Sequence, residues 1–101
     1  MAIKADLKSI TAAADNALQD IPEDLRYSIT DAAGKDSYPI SGTNWAVIYV
    51  NQPAKKGQLV VDFLRWVIHD GQQYCEELHY AKLPPGIVER GEKKLASIKL
   101  Q

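Results

Sequence analysis

The sequence predicts an α/β chain of about two strands and three to four helices. Helical spacing of apolar residues recurs in separate stretches, and between them lie two short runs that read as extended backbone. Proline, glycine and Asp/Ser clusters punctuate the boundaries.

Residues 5–20 come first. Leu7, Ile10, Ala14, Ala17, Leu18 and Ile21 recur at steps that share one helical face. The alanines favour helix and Asp6 is a suitable cap. Pro22 stops the helix, because the residue before a proline is pushed out of helical geometry. Residues 25–30 alternate apolar and polar, the signature of a half-buried strand. A polar turn around Gly34 follows. Pro39, which has no N–H for a ladder, makes residues 38–43 connecting backbone.

Residues 45–50 read Trp-Ala-Val-Ile-Tyr-Val. Apolar on both faces, they predict a strand inside a sheet that helices cover. Residues 54–70 predict the second helix, with Leu59, Val60, Phe63, Leu64, Val67 and Ile68 in a broad stripe and Trp66 at its edge. Gly71 interrupts the stripe, which resumes at Tyr74, Cys75 and Leu78. One kinked helix and two consecutive ones fit equally. Pro85 opens a last helix over residues 85–100. Its narrow apolar face is Ile87, Val88, Leu95 and Ile98, and its mixed charges form a solvated face. A sheet of about two strands with both faces apolar is incomplete.

The 101 residues suffice for one small domain. Such a chain buries only about 60–68% of its unfolded surface, so its stability is thin without a partner. Thirteen acidic against 12 basic residues leave a net charge of −1. That balance gives no footprint for nucleic acid or an anionic membrane. Cys75 is the single cysteine and reads as a small buried hydrophobe. The most apolar run, residues 59–68, is interrupted by Asp62 and Arg65 and is too short for a membrane span. The first eight residues mix charges and lack the apolar core of a signal peptide.

Several segments carry a more specific pattern. They are Ile-Pro-Glu-Asp-Leu-Arg-Tyr-Ser-Ile-Thr at 21–30 and Ser-Tyr-Pro-Ile-Ser-Gly-Thr-Asn-Trp at 37–45. Lys-Gly-Gln-Leu-Val-Val-Asp-Phe-Leu-Arg-Trp follows at 56–66, then Asp-Gly-Gln-Gln-Tyr at 70–74 and Tyr-Ala-Lys-Leu-Pro at 80–84. In this order they resemble the C-terminal third of the PstS-type periplasmic phosphate-binding proteins that feed ABC transporters. The resemblance runs from about Leu7 to the end.

That resemblance implies part of a type II periplasmic-binding-protein fold, with two α/β lobes and a ligand cleft. Residues 1–30 would end the second lobe, 31–43 would be the crossover, and 44–101 would end the first lobe. It implies a non-enzymatic, periplasmic parent that binds inorganic phosphate and a membrane ABC permease. The family holds phosphate with a Gly/Ser-rich turn, an acidic residue and an Arg-Ser-Asp-Gly-Ser-Gly-Thr type motif. Those motifs do not occur here, and Arg26, Arg65 and Arg90 lie in other contexts. No catalytic, ligand-binding or metal residue is therefore assigned, and no cofactor is expected. Ser41-Gly42-Thr43 imitates the end of the phosphate motif but leads into a strand, without the helix dipole that favours an anion.

His69 and His79 are too far apart for a metal pair on one helix. Cys75 and His79 share a helix face, but no oxyanion donor accompanies them. The chain is thus expected to be a phosphate-transport segment without the family's binding motifs. Exposed apolar edges predict a homo-oligomer, with elements exchanged through residues 31–43. The alternative is a self-associating or protein-interaction module derived from such a protein, without ligand binding.

Overall fold

In a computed structural model, described over residues 2–101, helix α1 spans Leu7–Asn16. Its start is the expected one. Asp6 Oδ1 accepts from the Ser9 backbone N–H at 2.8 Å, and Ser9 Oγ accepts from the Asp6 N–H at 3.2 Å, a reciprocal capping box. The Ser9 backbone N–H, with the Ser9 hydroxyl, holds the Asp6 carboxyl below its ordinary range. The helix ends earlier than periodicity predicts. A 3-10 turn at Leu18–Asp20 takes its place and leads the chain into Pro22.

The end of α1 and the turn after it contribute to a small core. Ala14 and Ala17 pack with Ile21, Ile29 and Ile87, backed by Leu18, Leu25, Tyr27, Ala32 and Leu83. Among the described residues no large side chain is fully buried.

The predicted strand over residues 25–30 is not a strand. Its burial still alternates: Leu25, Tyr27 and Ile29 turn inward while Arg26, Ser28 and Thr30 are exposed. Period-two burial survives because each side chain answers to the core, but no neighbouring strand supplies a ladder. The link to the connecting backbone is local. Asp31 N–H donates to the Pro39 carbonyl at 2.8 Å, and Thr30 Oγ1 donates to the Ser41 carbonyl at 3.0 Å.

Residues 45–50 depart further from expectation. They form no strand, and Val47 and Tyr49 are 92% and 84% exposed. The run is apolar on both faces because it needs cover on both, and this chain provides little.

Regular pairing begins just beyond. Strand β1, Asn51–Gln52, pairs in parallel with a strand that the last helix was expected to absorb, β2 at Lys99–Leu100. Lys99 N–H donates to the Val50 carbonyl at 2.7 Å and Gln101 N–H to the Gln52 carbonyl at 2.9 Å. Between them lie α2, Ala54–Ile68, and α3, Pro85–Ala96. Pro85 opens α3 as predicted. The helix stops four residues before Leu100, where Ser97 Oγ donates back to the Lys94 carbonyl at 2.6 Å.

After α2 the chain makes consecutive 3-10 turns, Asp70–Tyr74 and Glu76–Leu78, rather than a second α-helix. The second ends at His79, whose φ of 62° is left-handed. Gly57 is where α2 meets the sheet. A Cβ there would lie 2.5 Å from Gln52 Cβ and 2.6 Å from Leu100 Cδ2, so a larger residue would push the helix off the strands.

The result is elongated, 53 × 29 × 17 Å. Its radius of gyration is 14.8 Å. A compact domain of this length has about 13 Å. No described helix is long and apolar enough to cross a membrane.

Candidate functional site

A wide concavity follows from the uncovered run. Residues 45–50 stand over the inner faces of α2 and α3 but do not close onto them. The groove between has a volume of about 690 Å³. Tyr27, Trp45, Val47 and Ile48 line one side, and Leu64, Ile68, Leu95 and Ile98 the other. Asp24, Arg26, Lys94 and Ser97 form a polar margin. Its apolar walls suit packing rather than an inorganic anion, whose desolvation needs buried donors.

A second hollow, about 340 Å³, is lined by Ile21, Glu23, Arg90, Lys93, Lys94 and Ser97. Its guanidinium is already engaged, because Arg90 Nη1 donates to the Ile21 carbonyl. Lys93 and Lys94 are exposed.

One charged cluster ties helix to helix. Glu92 on α3 faces Arg65 Nε at 3.2 Å and His69 Nε2 at 2.8 Å. The hydrogen bond to His69, aided by the charge of Arg65, holds the Glu92 carboxyl below its ordinary value against the opposing effect of burial. The cluster fastens the end of α2 to α3 at partly exposed positions, so it is a clamp of modest strength.

The other singled-out residues occupy ordinary positions. Ser41 is buried and its hydroxyl donates to the Tyr38 carbonyl at 2.8 Å, so it serves the turn. Gly42 is exposed. Cys75 is half-buried rather than buried, with Sγ 3.7 Å from Gln72 Oε1. The same Gln72 oxygen accepts from the Leu83 N–H at 2.8 Å, so this turn is pinned by an amide and the thiol lies at its edge. Neither histidine joins a group of three or more metal-ligating side chains among the described residues.

What periodicity missed is the outer side of α2. Leu59 and Phe63 are 70% and 61% exposed, and Trp66 is 43% exposed. The stripe was visible in the sequence. It covered more than half of the helix circumference, and only the structure separates the covered half from the bare one.

Helices on a two-stranded parallel sheet, with an uncovered apolar run and an open groove, are consistent with part of an α/β architecture. Comparison with known proteins gives the particular relatives. The chain is similar over nearly its whole length to proteins named phosphate-binding protein PstS. It is 33% identical over 96 residues to the one from Xylella fastidiosa strain Temecula1, which covers 94% of this chain and 26% of that protein. It is 31% identical over 104 residues to the one from Methanocaldococcus jannaschii, covering 96% of this chain and 26% of that protein. The match falls at their C-terminal end, so the chain spans about a quarter of the length of these relatives. No family model matches it.

Proposed function

We propose that this chain acts as the C-terminal segment of a phosphate-transport substrate-binding protein and supplies scaffold rather than phosphate ligands. Residues 1–30 end the second lobe of that protein, 31–43 cross back, and 44–101 end the first lobe. The parent is periplasmic and hands phosphate to a membrane permease. The observation that carries this reading is the run 45–50. It is apolar on both faces, forms no strand and is largely exposed, and it sits above an open groove. A sheet contributed by the preceding three-quarters of a relative-length chain would satisfy all of these features at once.

Calorimetric titration of phosphate into the 101-residue chain tests the ligand half of the proposal. The expected result is no heat beyond dilution. Tight one-to-one binding would place a phosphate site in this segment and overturn it.

A second reading, a self-associating module, draws support from the exposed apolar side chains on the outer face of α2. Exchange of elements through residues 31–43 is one route to such an assembly.

A further inference from the structure

The outer face of α2 is a built surface rather than a scatter of exposed residues. Leu59, Phe63 and Trp66 stand at steps of four and three along one side of the helix. Val61, which is buried, lies two residues from Leu59, about 200° round the helix. Phe63 stacks on Trp66 with ring centroids 6.3 Å apart and planes 21° from parallel. Tyr74 extends the row, its centroid 6.0 Å from that of Trp66. Gly71 lets the following turn lie against the indole, since a Cβ there would sit 2.9 Å from Trp66 Cζ3. The rings are therefore already ordered, and docking them costs little side-chain entropy.

The charges around this row are asymmetric along the helix. The first turn of α2 carries Lys55 and Lys56 and no acidic residue. Cations there oppose the helix dipole, so helix stability does not explain them. Asp70 lies at the other end, just past the helix. Among the described residues none of these three joins an ion pair within 4.0 Å.

We infer that this face docks a second copy of the chain, α2 against α2, antiparallel, about a two-fold axis at Phe63. Phe63 then meets its own counterpart, and Leu59 of one copy meets Trp66 of the other. Lys56 lies in the first turn of α2 and Asp70 just past its end, so in an antiparallel pair each lysine approaches the partner copy's aspartate and the pair forms twice. The lysines that oppose the dipole of their own helix approach the C-terminal end of the partner's, which favours them. The row offers on the order of 300 Å² of ring surface per copy, less than half of the roughly 800 Å² per partner of a standard interface, so the dimer is weak and reversible. This inference deepens the self-association reading and rests on it.

Sedimentation equilibrium of the 101-residue chain tests it. The expected species is a reversible dimer of the 11.2 kDa chain. Phe63→Asp raises the dissociation constant by more than about tenfold, with helix content by circular dichroism unchanged. Lys56→Glu alone weakens association, and Lys56→Glu with Asp70→Lys restores it. A chain that stays monomeric at about 100 µM would overturn both the inference and the self-association reading. Association that resists these substitutions but is abolished by Val47→Lys would overturn the inference alone, because the copies would then meet through the bare run 45–50.

Discussion

The indole Nε1 of Trp45 donates to the backbone carbonyl of Leu25 at 3.0 Å, across 20 residues of chain. The Trp45 ring also meets that of Tyr27 edge-on, with centroids 5.8 Å apart. Two segments that read as strands are thus joined by a side chain, where main-chain pairing was expected. Replacing Trp45 with Phe keeps most of the ring and removes the donor. The expected loss is about 1 kcal/mol, read as a lower melting temperature. An unchanged melting temperature would show that water takes over the Leu25 carbonyl without cost.

Gly57 gives a prediction with opposing terms. Alanine gains about 1 kcal/mol of helix propensity over glycine. Here its Cβ would run into Gln52 and Leu100, so the contact decides the sign. Gly57→Ala is expected to destabilise the chain and to raise amide exchange at Lys99 and Gln101, whose N–H groups bridge β2 to the β1 segment. A more stable variant would mean that α2 does not bear on the strands.

The clamp at Glu92 makes stability depend on pH. Its carboxyl titrates below the ordinary value of 4.5 in the folded chain, chiefly through the hydrogen bond to His69 and then the charge of Arg65. A depressed carboxylate contributes stability that is fully present above its unfolded pKa. That contribution is lost as pH falls through the folded value. Glu92→Gln should therefore lower the melting temperature at pH above 4.5 and flatten its decline below that point. Parallel curves for the two proteins would remove Glu92 from the acid response.

Val47 separates the chain's own stability from its role in a larger sheet. It is 92% exposed, so Val47→Lys should change the stability of the isolated chain by no more than about 0.5 kcal/mol. The proposed function puts the same position in a covered strand of a complete lobe, where the lysine should block assembly. Chemical denaturation of the variant chain measures the first effect. A large loss there would mean that Val47 is already packed.

Much of this fold was legible because local chemistry decides it. Asp6 caps α1 with Ser9 in reach, Pro85 opens α3, and alternating burial over residues 25–30 follows the pattern of side chains. The misreadings share another cause. Ile98 and Leu100 continue the apolar spacing of α3 closely enough to read as helix, yet the free edge of β1 draws this stretch into a strand. Residues 45–50 were read as buried because apolarity on both faces reports a need for cover. It does not report whether the same chain supplies that cover. For the groove the wall residues were legible, but the opening between them was not.

The central claim is that the run 45–50 takes its place in a sheet supplied from outside this segment. The most direct measurement mixes the 101-residue chain with the preceding three-quarters of a PstS relative, truncated where the match begins, and titrates phosphate calorimetrically. The account predicts that the mixture binds phosphate, that the 101-residue chain alone does not, and that Val47→Lys in the chain abolishes the gain. Phosphate binding by the truncated relative that is indifferent to the added chain, with no association between the two, would contradict it.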